Sequence, residues 1–149
     1  MEKRPREVRI LHVEDNKGDV VLAKAALSNL TIKYDLENIT DGEEAHNFLF
    51  KRYKNKEVAA PDIILLDLDL PKKSGHEILA DLKNDTELKH IPVIVLSGSQ
   101  AKNDILRSYD NHANGYVNKP GDLDQYTELV DSLERFWFNN ASLPTNYEH

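Results

Sequence analysis

The chain has 149 residues, of which 26 are acidic and 19 basic, for a net charge of −7, and it contains no cysteine. That length is one domain's worth and buries a full core without staples, while the missing thiols exclude disulfides, thiolate metal sites and a cysteine nucleophile. The acidic balance disfavours direct binding to nucleic acid or to anionic membranes. Neither the charged start MEKRPREVRILHVED nor any later stretch has an apolar run of signal-peptide or membrane-span length. The expectation is a soluble, cytoplasmic protein.

From the amino terminus, VRILHVE (Val8 to Glu14) is a first buried strand, and DNKGD then offers Asp15 or Asn16 as a helix cap. The helix that follows places Val20, Ala23, Leu27 and Leu30 on one face. YDLENIT is a shorter, mixed strand, broken at Asp41-Gly42, and GEEAHNFLFKRY returns to a helical period with Ala45, Phe48 and Leu49 inward. KNKEVAAP is a polar connector ended by Pro61. Then come strand DIILLD, helix SGHEILADLKND, strand IPVIVLSG, helix AKNDILRSYDNHA, strand GYVNKP and a long helix from about Leu123. Strict alternation of strand and helix predicts an α/β fold, with five parallel strands and helices on both faces.

The last helix carries Leu129, Val130, Leu133, Phe136, Trp137 and Phe138 on a wide arc, which finishes the core or leaves an aromatic patch for a partner. The core is expected over about 8–138, and the tail NNASLPTNYEH, without periodicity, is expected to be irregular or mobile.

The strand IILLD ends in Asp67, with Asp69 just beyond, and carboxylates avoid the interior of a strand buried on both faces. The first strand ends in Glu14-Asp15, the fourth in Ser97-Gly98, the fifth in Tyr116 and then Lys119-Pro120. Singly, each has a plain explanation: a cap at Asp15, a polar turn around Asp69, Pro71 and Gly75, a turn at Ser97, a solvated lysine at 119. In a parallel sheet all of them share the carboxyl edge, where ligands bind. Crowded carboxylates repel, which raises their proton affinity and favours a hard divalent cation; oxygen donors without sulfur or histidine suit magnesium. A cation there and the Lys119 ammonium would draw in a phosphoryl group, and the central carboxylate could attack it to form an acyl phosphate.

The ordered set VED, LLDLDLPKKSG, VLSGS and NKP closely resembles a response-regulator receiver domain, the phosphoacceptor partner of a sensor histidine kinase, over residues 8 to about 138. The resemblance implies a doubly wound, flavodoxin-like sheet in the order 2-1-3-4-5. It implies that Asp67 is the phosphorylation site, that Glu14 and Asp15 are the acidic pair, and that Asp15, Asp67 and the backbone carbonyl of Asp69 bind Mg2+. Ser97 then takes the switch hydroxyl position, Tyr116 the aromatic switch position and Lys119 the lysine position, followed by a Lys-Pro bond that is usually cis. Asp69 and Ser99 stand where the family tunes the loss of the phosphoryl group. The connector FKRYKNKEVAAP and the ending LERFWFNNASLP are similar to free-standing receivers paired with phytochrome-type kinases, a group whose members often form homodimers.

The chain would then be one receiver domain over 1–149, not an enzyme beyond its own phosphoryl transfer and dephosphorylation. With no output domain expected after residue 138, its signal would pass through another protein, or the chain would serve as a relay or a phosphate sink. Two alternatives stand beside this. A phosphatase of the haloacid dehalogenase type would use Asp67 as nucleophile and Asp69 as acid/base, although Pro71 replaces the usual Thr or Val. A pseudo-receiver would keep the fold and act by binding alone.

Overall fold

The computed structural model describes residues 7–147. Five strands, β1 (Val8–Val13), β2 (Tyr34–Ile39), β3 (Ile63–Asp67), β4 (Val93–Ser97) and β5 (Gly115–Asn118), form one sheet in the order β2-β1-β3-β4-β5. All four pairings are parallel. Five α-helices alternate with them: α1 (Lys17–Leu27), α2 (Gly42–Asn47), α3 (Gly75–Lys83), α4 (Lys102–Asp110) and α5 (Leu123–Leu133). Strand order reverses between β1 and β3, which opens a crevice beyond their carboxyl ends.

Successive side chains of a strand point to opposite faces, so the uninterrupted apolar run of β3 builds two cores at once. Ile63 and Leu65 pack on the face covered by α1 and α5, with Ala23, Ala26, Leu27, Val130 and Leu133. Ile64 and Leu66 pack on the other, with Leu49, Ile78, Leu79 and Leu82. Four helices start on side-chain caps: Asn16, Asp41, Ser74 and Asp122 each accept from a backbone N–H three residues on. Of the two cap candidates for α1, Asn16 takes the role. α4 has no such cap and buries only Ser108 among its side chains, so it is held more loosely than the others.

Several expectations need correction. The helix after Gly42 changes after Asn47 to a π-helical stretch, Phe48–Arg52, and the last helix does the same over Glu134–Asn140. Along that last arc Val130 and Leu133 are buried and Leu129, Trp137 and Phe138 are partly so, whereas Phe136 stands 56% exposed. The tail is not loose up to residue 147: Leu143 is buried, Thr145 hydrogen-bonds the buried Asp62 carboxylate, and Pro144–Tyr147 form a 3-10 turn. Residues 148 and 149 lie outside the described range. No peptide bond among the described residues is cis, so Lys119-Pro120 is trans, the form favoured by about 0.5–1 kcal/mol in simple X-Pro peptides. No helix among them is long and apolar enough to cross a membrane.

Candidate functional site

Sheet register brings the expected residues together. Val13 pairs with Leu66, so the residues that follow, Glu14 and Asp67, emerge side by side. Asp67 pairs with Leu96, and Ser97 with Asn118, which sets Ser97 and Lys119 on the next two strands of the same edge. The backbone N–H of Lys119 donates to the Ser97 carbonyl at 2.8 Å, locking the fifth strand's exit to the fourth.

Glu14 is fully buried and Asp67 nearly so, while Asp15 is exposed. Their carboxylates offer three ligand atoms within 4.8 Å of one another. Lys119 Nζ lies 2.8 Å from Glu14 Oε1, 3.4 Å from Asp19 Oδ2 and 3.5 Å from Asp67 Oδ2. Asn16 N–H donates to Glu14 Oε2 at 3.1 Å. Burial pushes the Glu14 carboxyl up to about 7; the Lys119 contact opposes that rise, and the neighbouring Asp67 charge adds to it. Burial likewise raises Asp67, against the pull of Glu14, Lys119 and the Asp69 N–H. Burial alone would lower the Lys119 ammonium, but its contact with Glu14 and the charges of Asp67 and Asp19 outweigh it and raise it, so the group stays protonated.

The Asp69 side chain is exposed and stands outside the carboxylate trio; its backbone N–H donates to Asp67 Oδ1 at 3.3 Å. Gly75 admits the strand end: a Cβ there would fall 2.2 Å from the Asp67 carbonyl oxygen. Ser97 is buried, and its Oγ accepts the Ser99 N–H at 3.0 Å, which leaves its own O–H to donate. Half-buried Tyr116 donates its hydroxyl to the Ser99 carbonyl at 2.8 Å, tying β5 to the loop after β4.

Four contributors were not named from the sequence. Asp19 touches Lys119, and Tyr126 on α5 donates to Asp19 at 2.9 Å. Asp104 on α4 accepts the Ser99 hydroxyl at 2.6 Å and meets His76 of α3 at 3.2 Å. Asp19 had a local signal, four residues after Asp15 on the first turn of a helix. Tyr126 and His76 depend on contacts far apart in sequence, and Asp104, five residues after Ser99, reads from sequence as an ordinary polar residue in the first turn of a helix.

A family model described as response regulator receiver domain matches residues 10–131. The chain belongs to that family, the phosphoacceptor receivers of two-component signalling. The response regulator Rcp1 of Synechocystis sp. is 40% identical over 143 residues, covering 96% of this chain and 97% of that one. Among solved structures, the phosphorylated cyanobacterial phytochrome response regulator RcpA superposes with a TM-score of 0.87 at 44% identity, over 93% of this chain and 99% of its own. The Mn(2+)-bound form of Rcp1 does so with a TM-score of 0.84 at 39% identity, over 92% and 99%. The family match favours the receiver reading over the phosphatase alternative. Receiver domains bind a divalent metal, and the trio of Glu14, Asp15 and Asp67 is a hard-oxygen donor set that fits one.

Proposed function

We propose that the protein is a stand-alone receiver, one domain over 1–149, that takes a phosphoryl group from a phytochrome-type sensor histidine kinase onto Asp67. The observation that carries this reading is Asp67 itself: a nearly buried carboxylate at a strand end, 3.5 Å from an ammonium and clustered with Glu14 and Asp15. An Asp67 oxygen attacks phosphorus in line, the P–N bond of the kinase phosphohistidine breaks, and the imidazole leaves as the O–P bond forms. Glu14, Asp15, Asp67 and the Asp69 carbonyl would hold Mg2+, which supplies positive charge against the phosphoryl oxygens. Lys119 pairs with those oxygens from the other side, and the free O–H of Ser97 donates to one of them. Hydrolysis by water returns the carboxylate and releases inorganic phosphate, so the chemistry is confined to the protein's own phosphoryl group.

Drawing Ser97 toward the phosphoryl group pulls on the loop that Tyr116 and Asp104 hold, and so on α4. Ordinary allosteric coupling of about 1–3 kcal/mol would shift that element between two positions. The face of α4, β5 and α5 exposes Leu106, Tyr109 and Leu123, which suits a partner protein or a second copy in a homodimer. A cytoplasmic location accords with a cysteine-free chain working beside a kinase domain.

The test is label transfer from a phytochrome-class kinase phosphorylated on histidine. Passage to the wild type, but not to Asp67→Asn, and only with a divalent cation present, supports the reading. Label that stays on the kinase while a small acyl phosphate still modifies Asp67 would remove the phytochrome assignment and leave the receiver chemistry.

A further inference from the structure

Asp19 sits in the first turn of α1, outside the residues that the family resemblance names. Its two oxygens have different partners. Oδ1 accepts the Tyr126 hydroxyl at 2.9 Å, and Oδ2 lies 3.4 Å from Lys119 Nζ. Tyr126 is 1% exposed, packed in the apolar layer between α1, α5 and the sheet, and a phenol so buried needs an acceptor. Asp19 provides it. The Lys119 ammonium, with three N–H bonds, is therefore shared among three carboxylates: Glu14 at 2.8 Å, Asp19 at 3.4 Å and Asp67 at 3.5 Å. Only one of the three is the acceptor. Asp19 pulls the ammonium away from it.

We infer that Asp19 and Tyr126 are positioning residues for phosphoryl transfer: Tyr126 holds and partly neutralises the Asp19 carboxylate, and Asp19 restrains Lys119, so that the pair sets how fast Asp67 gains its phosphoryl group. This rests on Asp67 being the acceptor. With an acyl-phosphate donor, the Asp67 oxygen bonds to phosphorus as the donor's P–O bond breaks, and the donor leaves as a carboxylate. Lys119 must turn toward the arriving oxygens, and the contact with Asp19 is the one that weakens. Asp19→Asn removes the competing charge and quickens the step. Tyr126→Phe leaves Asp19 Oδ1 without its donor, strengthens its hold on Lys119 and slows the step. Because Tyr126 acts through Asp19, it has no effect once Asp19 is Asn.

The experiment follows intact-protein mass over time with an acyl-phosphate donor and a divalent cation, for wild type, both single variants, the double variant and Asp67→Asn. The expected result is a rate roughly fivefold faster for Asp19→Asn, roughly threefold slower for Tyr126→Phe, and a double variant equal to Asp19→Asn. A merely structural role would slow both singles, and Tyr126→Phe would still slow the double variant; that pattern overturns the inference. An unchanged Tyr126→Phe rate in folded protein does the same. Should Tyr126→Phe fail to fold, Asp19→Asn decides alone, since an unchanged or slower rate contradicts the restraint. A wild type that gains no mass would instead defeat the Asp67 reading and this inference with it.

Discussion

The Lys119 ammonium stands 2.8 Å from Oε1 of Glu14, a carboxylate with no exposure to solvent. Removing one partner of a buried ion pair strands the other, which typically costs about 3–5 kcal/mol. Lys119 is 18% exposed on its side chain, so the lower end applies. Glu14 sits at about 7 even beside the ammonium, so without it the carboxyl stays protonated at neutral pH and the cost appears as pH rises. Lys119→Met is expected to lose up to about 3 kcal/mol in urea unfolding at alkaline pH, where Glu14 must ionise alone, and less at neutral pH; a loss that does not change with pH would contradict the pairing.

A second pH dependence comes from His12, which lies in β1 with both ring nitrogens buried and without hydrogen-bond partners. Burial lowers it from 6.5 to about 4; Lys119 and Lys24 add to the lowering and Asp19 opposes it. A histidine with a depressed folded pKa contributes stability that is fully present above 6.5 and is lost as pH falls through about 4. Between pH 7 and pH 5 the loss amounts to about 2 kcal/mol. His12→Leu should flatten that stretch of the stability curve, and an unchanged slope in denaturant titrations would exclude His12 as its source.

Divalent cation should stabilise the protein, and more so as pH rises. The Glu14 carboxyl, raised to about 7, contributes stability that is present below its unfolded value near 4.5 and is lost as pH rises through 7. Cation binding competes with that proton. Thermal unfolding with and without Mg2+ should differ more at pH 8 than at pH 6; a pH-independent difference would place the cation elsewhere.

Gly75→Ala drives a methyl to within 2.2 Å of the Asp67 carbonyl oxygen, a contact only backbone movement can relieve. A destabilisation of about 2 kcal/mol or more is expected, together with weaker cation binding because the displaced strand end carries Asp67. Full stability with full cation affinity would show that the strand end is not pinned there.

Leu143, only 4% exposed, makes the tail part of the packed structure. Leu143→Ala should cost about 2–3 kcal/mol in chemical unfolding. A change under about 0.5 kcal/mol, the range of an exposed surface site, would mean that the tail does not dock.

The sheet and its edge were legible because they rest on local pattern: the run Ile63 to Leu66 can only be a doubly buried strand, and Glu14, Asp67, Ser97 and Lys119 each follow such a run directly. Parallel topology then puts strand ends together without any knowledge of side-chain geometry. The tail was not legible, because a single apolar anchor at Leu143 and one hydroxyl at Thr145 make no period. The π-helical stretches were hidden for another reason: FLFKR and ERFWFNN continue a helical pattern, and a change of hydrogen-bond partner from i−4 to i−5 leaves little trace in residue type. Asp19 and Tyr126 are 107 residues apart, and only the packing of α1 against α5 pairs them.

The most direct test of the central claim is intact-protein mass after incubation with Mg2+ and a small acyl-phosphate donor, wild type beside Asp67→Asn. One added phosphoryl group on the wild type, absent from the variant, is the result expected of a receiver whose acceptor is Asp67. No gain by folded wild-type protein, or an equal gain by the variant, would contradict it; the former would point to a pseudo-receiver that works by binding alone.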